Sequence, residues 1–232
     1  MSTSSLGYSA TTLNDLLRRL HTIGAVKIDT QGGFKLKLHE KNPNAPLSPL
    51  YINLRIAENK GGPLTFAEVA EIAKFFHAYL RANNVQFDGI CPVPHAGTPF
   101  AKELQEIYKK EGRSIPILTL GKEEDASGRH IGVLLETQGL SRGCKVLLVD
   151  DLITKAGSKL EAIKALLNAG HEVTDCMVFL DREQGGPREM AELGVTLHSI
   201  VGLTSALEVY KSSGALNSEQ YTKIREYLKQ AA

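Results

Sequence analysis

Two adjacent acids, Asp150 and Asp151, stand a short step before Thr154, Lys155, Ala156, Gly157 and Ser158. The four residues ahead of them, Val146 to Val149, form a continuous apolar run that suits a strand buried on both faces. Behind them, Leu160, Ile163, Ala165, Leu166 and Leu167 recur at helical spacing, and Gly170 supplies a helix stop. A strand that passes through a small, hydroxyl-bearing turn into a helix N-terminus is a phosphate cradle. Backbone N–H groups and the positive end of the helix dipole face the turn, and Thr154 and Ser158 add hydroxyl donors. Paired acids beside such a cradle suit a ligand that carries ribose hydroxyls, or one that builds positive charge as it reacts. The dinucleotide fingerprint Gly-x-Gly-x-x-Gly is absent, and Lys155 does not follow the glycines of a Walker loop. The competing interpretation is an ordinary strand–turn–helix with solvated acids; the order of chemical types favours the cradle.

The elements that must position these groups follow an α/β rhythm. Leu13, Leu16, Leu17 and Leu20 make one face of a first helix that Thr11 or Thr12 could cap. Residues 26–37 read as two short strands around a Gly32-Gly33 turn, and after a Pro-rich loop residues 51–55 alternate like a strand. From Thr65 the alternation is regular: helices over 66–83, 97–111, 159–169, 188–193, 205–211 and 218–229, and strands over 87–93, 115–120, 146–149, 173–180 and 196–201. This predicts a mainly parallel twisted sheet flanked by helices, with ligands at the strands' carboxyl ends and a small N-terminal hood beside it. The expected division is a hood over 1–64, an α/β core over 65–203 and C-terminal helices over 204–232. Residues 121–132 interrupt the rhythm as a polar, glycine-punctuated excursion, either a surface loop or a lid over the cradle.

Composition narrows the class. The chain has 232 residues, enough for one large α/β domain with appendages. With 27 basic and 26 acidic residues, nothing points to a nucleic-acid surface. Cys91, Cys144 and Cys176 are few, odd in number and far apart, which argues for a reducing, cytoplasmic setting over a disulfide framework or zinc site. The first residues lack a signal-peptide pattern, and no apolar run reaches membrane-spanning length.

Several runs carry a resemblance. Val146 to Ser158 resembles the 5-phosphoribosyl-1-diphosphate (PRPP) loop of type I phosphoribosyltransferases, with Ala156 where that family usually has glycine. Ser48-Pro-Leu-Tyr-Ile-Asn-Leu-Arg55, Phe34-Lys-Leu-Lys37 and Leu180-Asp-Arg-Glu-Gln-Gly-Gly186 are similar to segments of orotate phosphoribosyltransferases. Cys91-Pro-Val-Pro-His-Ala-Gly-Thr-Pro99 is similar to that family's strand-to-helix turn at the pyrophosphate. The resemblance implies a type I phosphoribosyltransferase fold and conversion of orotate and PRPP to orotidine 5′-monophosphate and pyrophosphate, in pyrimidine biosynthesis. It implies that Asp150 and Asp151 meet the ribose hydroxyls and the developing charge, and that Thr154, Lys155, Ala156, Gly157 and Ser158 hold the 5′-phosphate. Lys37 and His95 would approach the diphosphate, Lys122 would act from the excursion, and Tyr51, Ile52, Thr154 and Arg182 would hold orotate. It further implies Mg2+ bound through PRPP rather than through side chains, and a homodimer. The family's mobile loop usually reads Arg-Lys-Glu-x-Lys-x-His/Tyr-Gly, whereas Gly121, Asp125 and Ser127 stand at its arginine, second lysine and His/Tyr positions. Ala96 stands where bacterial members carry lysine. Those departures leave two other readings: a phosphoribosyltransferase for another base, and a non-catalytic protein that binds PRPP or a nucleotide.

Overall fold

The computed structural model describes residues 10–36, 38–59, 61–125 and 128–231. The chain opens with α1 (Ala10–Thr22), β1 (Val26–Ile28), α2 (Leu38–Lys41) and β2 (Leu50–Ile52). Then come α3 (Phe66–Ala82), β3 (Gly89–Pro92), α4 (Thr98–Lys110), β4 (Thr119–Asp125) and β5 (Gly128–Glu136). The rest is β6 (Lys145–Ile153), α5 (Gly157–Asn168), β7 (Glu172–Asp181), α6 (Gly186–Ala191), β8 (Thr196–Gly202), α7 (Leu203–Ser212) and α8 (Ser218–Ala231).

A parallel sheet in the order β3-β6-β7-β8 forms the centre, as the α/β alternation predicts. Its apolar strands split by the two-residue period of a pleated chain. Leu147 and Val149 of β6 join Met177 and Phe179 of β7 in one core cluster with α3, α4 and α7. Val146 and Leu148 point the other way, with Cys176 and Val178, into a cluster with Ile163 and Leu166 of α5. The strand β6 is therefore covered on both faces, and its carboxyl end is the edge left to meet a ligand.

Local chemistry explains several boundaries. Thr65 starts α3 with a capping box: its Oγ1 accepts from the Ala67 N–H at 3.2 Å, while Glu68 Oε2 accepts from the Thr65 N–H at 3.0 Å. Gly97 sits where the chain turns from β3 into α4, and a Cβ there would lie 2.3 Å from the Val149 carbonyl oxygen. No side chain larger than hydrogen fits that approach.

Three expectations are corrected. Thr11 and Thr12 lie inside α1, which begins at Ala10, so neither is its cap. The segment 26–37 is not a hairpin. Its β1 pairs antiparallel with β2, because Asp29 Oδ1 accepts from the N–H groups of Gln31 (2.9 Å) and Gly32 (2.8 Å) and bends the chain away. Phe34 instead bridges Ser48. The excursion over 121–132 is no irregular loop but part of an antiparallel ribbon, β4 on β5. Ile131 seats it: its side chain is buried in the cluster with α5, and its N–H donates to Glu161 Oε2 at 3.0 Å. Within 121–132 Ile131 is the one large apolar residue, so that stretch shows none of the apolar alternation by which strands are read.

Candidate active site

The paired acids lie within β6, whose ladder with β7 continues to Ile153 opposite Asp181. Both are buried, with 4% of Asp150 and 7% of Asp151 exposed. Their partners differ. Asp150 Oδ1 accepts from the Asp151 N–H at 2.9 Å, and Oδ2 pairs with Lys159 Nζ at 2.6 Å. That lysine, also buried, gives a second hydrogen bond to the Leu152 carbonyl at 2.8 Å. Asp151 Oδ1 accepts from the Leu152 N–H at 2.7 Å, and its Oδ2 accepts no hydrogen bond among the described residues.

Burial sets the electrostatics. Loss of hydration raises the Asp151 carboxyl from the ordinary 3.8 to about 7, reinforced by the neighbouring Asp150 charge and opposed by Lys159, the Leu152 N–H and Arg55. For Lys159, burial works against the cation, but the Asp150 charge, with smaller help from Cys176 and Asp151, outweighs it and holds the pKa above the ordinary lysine value. Asp150 is thus matched by a cation, while Asp151 is poised to change charge near neutrality.

The phosphate turn follows. Thr154 is half-buried, Lys155, Gly157 and Ser158 are exposed, and Ala156 is buried. As the opening of α5, Gly157 and Ser158 present N–H groups that have no carbonyl four residues back, which is the anion-binding end of a helix. Ala156 behaves otherwise. Its N–H donates to Glu189 Oε2 of α6 at 2.7 Å, so in this structure that amide is bonded to a carboxylate. Gly186 lets α6 come this close, since a Cβ there would stand 2.7 Å from the Ile153 side chain.

Beside the turn lies a cleft of about 390 Å³, lined by Leu36, Thr154, Lys155, Arg182, Gln184 and Tyr227 among others. Arg182 and Gln184 are buried, and Arg182 Nε and Gln184 Oε1 have no hydrogen-bond partner among the described residues. Buried polar atoms left without partners are costly, and in side chains that line a cleft they point to a role beyond packing. Burial also lowers the Arg182 pKa, with the Tyr227 phenol opposing that shift.

The structure thus brings Thr154, Lys155 and Arg182 onto one cleft; neither Asp150, bound to Lys159, nor Asp151 is among its lining residues. Tyr51 and Ile52 are half-buried on β2, Tyr51 with its ring 5.8 Å from that of Phe34, and neither is among the cleft's lining residues. His95 is exposed in the β3–α4 turn, and Lys122 is exposed on the β4–β5 ribbon. Lys37 lies outside the described residues, next to the cleft residue Leu36. Four contributors were not identified from sequence: Lys159, Gln184, Glu189 and Tyr227. Lys159 had a readable signal, since it falls on the same helical stripe as Ile163 and Leu166, where a charge must be buried. Gln184 stood within a recognised run. Glu189 and Tyr227 are brought in only by tertiary packing.

Comparison with known proteins completes the site. The family described as "Phosphoribosyl transferase domain" matches residues 60–197. The chain is 32% identical over 216 residues to an orotate phosphoribosyltransferase of Pyrobaculum aerophilum, covering 93% of this chain and 98% of that one. It is 29% identical over 215 residues to a uridine 5′-monophosphate synthase of Caenorhabditis elegans, covering 92% of this chain and 39% of the relative. It therefore spans about two-fifths of the length of the uridine 5′-monophosphate synthases that it matches. The solved structure of a Leishmania donovani UMP synthase aligns with a TM-score of 0.73 at 26% identity, over 96% of this chain and 43% of that chain. An orotate phosphoribosyltransferase from Aeropyrum pernix, at 21% identity, shares the fold with a TM-score of 0.60 over 83% of this chain and 97% of its own. By the family match over residues 60–197 and the identity to the Pyrobaculum aerophilum enzyme, the chain belongs to the orotate phosphoribosyltransferase family.

Proposed function

We propose that this chain transfers the phosphoribosyl group of PRPP to orotate, giving orotidine 5′-monophosphate and pyrophosphate in pyrimidine biosynthesis. The carrying observation is the cleft beside Thr154, lined by the buried Arg182 and Gln184, whose Nε and Oε1 have no hydrogen-bond partner among the described residues. Orotate is a planar anion with a carboxylate and ring amide groups, and the Arg182 guanidinium and Gln184 carboxamide complement both. The N–H groups of Gly157 and Ser158, with the Thr154 and Ser158 hydroxyls, take the 5′-phosphate. As the anomeric carbon parts from pyrophosphate and the ring nitrogen closes on it, the sugar gains positive charge, which ionised Asp151 stabilises. The reading assigns the exposed His95 and Lys122 to the diphosphate, together with Lys37, which lies outside the described residues.

Among the described residues no group of three or more His, Cys, Asp or Glu could hold a metal ion. The reading takes Mg2+ as bound through PRPP rather than through protein side chains. When bound, such an ion neutralises the leaving pyrophosphate. The reading carries a homodimer with it, supported by the exposed apolar Val133 and Leu135 of β5. A reducing, cytoplasmic setting is supported by the unpaired Cys91, Cys144 and Cys176. No helix among the described residues is long and apolar enough to cross a membrane.

The test is purified protein with PRPP, Mg2+ and orotate, following loss of orotate absorbance and release of pyrophosphate. We expect turnover, and in Arg182→Met a KM for orotate raised on the order of a hundredfold, since a charged hydrogen bond to a buried anion is lost. A second reading, a protein that binds PRPP without turnover, is favoured by Gly121, Asp125 and Ser127 at positions where the family has cationic or aromatic side chains. Tight PRPP binding with no turnover of orotate, uracil or purines would establish it instead; turnover of another base would reassign the acceptor.

A further inference from the structure

We infer that His39 is a positioning residue for the acceptor cleft: its imidazole stands in for a missing backbone rung and ties together two hood segments that line the cleft. The inference rests on the proposed transfer to orotate and concerns the wall that the acceptor meets. The loop from Phe34 to Ser48 is closed at its base by a pair of backbone hydrogen bonds. The Phe34 N–H donates to the Ser48 carbonyl at 2.7 Å, and the Ser48 N–H donates to the Phe34 carbonyl at 3.0 Å. In an antiparallel pair the next such rung falls two residues further along each strand, here at Leu36 and Pro46. Proline has no N–H, so the full rung cannot form from backbone groups. His39, only 8% exposed, fills the gap. The Leu36 N–H donates to its Nδ1 at 2.9 Å, and its Nε2 lies 3.3 Å from the Pro46 carbonyl oxygen. Leu36 and Pro46, with Ala45, line the same cleft as Thr154, Arg182 and Gln184.

The contacts select one form of the ring. Nδ1 lies near both polar groups of Leu36, with the carbonyl oxygen at 3.1 Å. That carbonyl already accepts from the His39 N–H at 2.9 Å, whereas the Leu36 N–H has no backbone acceptor among the described residues. A ring protonated at Nε2 alone accepts from Leu36 and donates to Pro46, so every group is met. A proton on Nδ1, in the other tautomer or in the imidazolium, turns a donor toward the Leu36 N–H and leaves that N–H unmet, which is the costly outcome. The rung is therefore a neutral imidazole in its Nε2–H tautomer. Without it Leu36 is no longer tied to Pro46, while the Phe34–Ser48 base and the strand ends that carry Thr154 and Arg182 are untouched. The loss falls on capture of the acceptor, not on the bond-breaking step.

The experiment compares wild type with His39→Phe, which keeps a planar ring without hydrogen bonds, and His39→Gln, which keeps one acceptor and one donor without the ring. Turnover with orotate and PRPP, circular dichroism and hydrogen exchange at the Leu36 amide are measured on all three, and nitrogen NMR of the His39 ring on wild type. His39→Phe should raise the KM for orotate about tenfold and leave kcat and the KM for PRPP within about threefold. Exchange at the Leu36 amide should quicken about tenfold in the same variant. His39→Gln should lie nearer wild type than His39→Phe in both readouts. The ring spectrum at neutral pH should show a neutral imidazole protonated at Nε2. A proton found on Nδ1 overturns the inference, and so does a folded His39→Phe with unchanged orotate KM or unchanged Leu36 exchange. A fall in kcat with no change in KM overturns it as well, because His39 would then act on the chemical step. Should His39→Phe not fold, His39→Gln and the wild-type spectrum decide. Wild type that does not turn over orotate sinks the proposed reaction, and the rung is then judged separately by the ring tautomer and the Leu36 exchange.

Discussion

Two neighbouring turns carry the chain from a parallel strand into a helix, and they are held by different means. Between β3 and α4 the backbone closes on backbone: the Val93 N–H donates to the Val149 carbonyl at 2.9 Å, and Gly97 rests against that same carbonyl. Between β6 and α5 the turn is held by charged side chains, Lys159 on Asp150 from within and Glu189 on the Ala156 N–H from α6. Steric closeness locks the first turn, whereas balanced buried charge shapes the second. A packed backbone contact tolerates no added atom. A charge network tolerates atoms but responds to protons and to bound anions.

The sharpest way to break that comparison is a matched pair of glycine substitutions. Gly97→Ala puts a Cβ 2.3 Å from the Val149 oxygen and should cost about 3 kcal/mol or more in urea unfolding. Gly157→Ala, with nothing within 4 Å of the added Cβ, should change stability by less than about 1 kcal/mol and in the stabilising direction. Equal costs would mean that the second turn is as tightly packed as the first.

Next in size is the pH response of the second turn. Asp151 is raised from 3.8 to about 7 in the folded protein, so between those values the folded state keeps a proton that the unfolded chain releases. Its contribution to stability is complete below pH 3.8 and is lost as pH rises through about 7. Asp151→Asn should therefore raise Tm by several degrees at pH 8, on the order of 2 kcal/mol, and much less at pH 4.5. Thermal unfolding of both proteins at the two pH values checks the sign, and a gain confined to the acid side would refute it.

The smallest expected effect is at Glu189. Glu189→Ala leaves the buried Ala156 N–H without an acceptor and should cost about 1 kcal/mol, with faster hydrogen exchange at that amide. Glu189→Gln, which keeps an acceptor oxygen, should lose less. Identical behaviour of the two variants would remove Glu189 from the description of the turn.

The legible parts of the fold were those with a strong period. The apolar run of β6, the stripe of α5 and the capped α3 follow from residue order, because burial on two faces or one stripe leaves a pattern in the chain. The ribbon β4–β5 was not legible over 121–132, because that stretch holds one large apolar residue, Ile131, and so no apolar alternation. The pairing of β1 with β2 was missed because Gly32-Gly33 is an equally good signal for a local hairpin. At the site, Asp150 and Asp151 were read as equals, and adjacency in sequence gives no ground to separate them. The separation comes from Lys159, nine residues on, reaching back from the helix.

Residue order alone determined that a parallel α/β core would carry two acids near the carboxyl end of a buried strand, ahead of an anion-binding helix start, since hydrophobic period and turn chemistry are local properties. Tertiary structure alone decided which acid is neutralised, which turn amide is already taken by Glu189, and that Arg182 and Gln184 share a cleft with Tyr227. Those outcomes depend on distances between elements far apart in the chain. A charge separated from its partner by a strand or a helix has no preferred mate until packing brings the two together and excludes water.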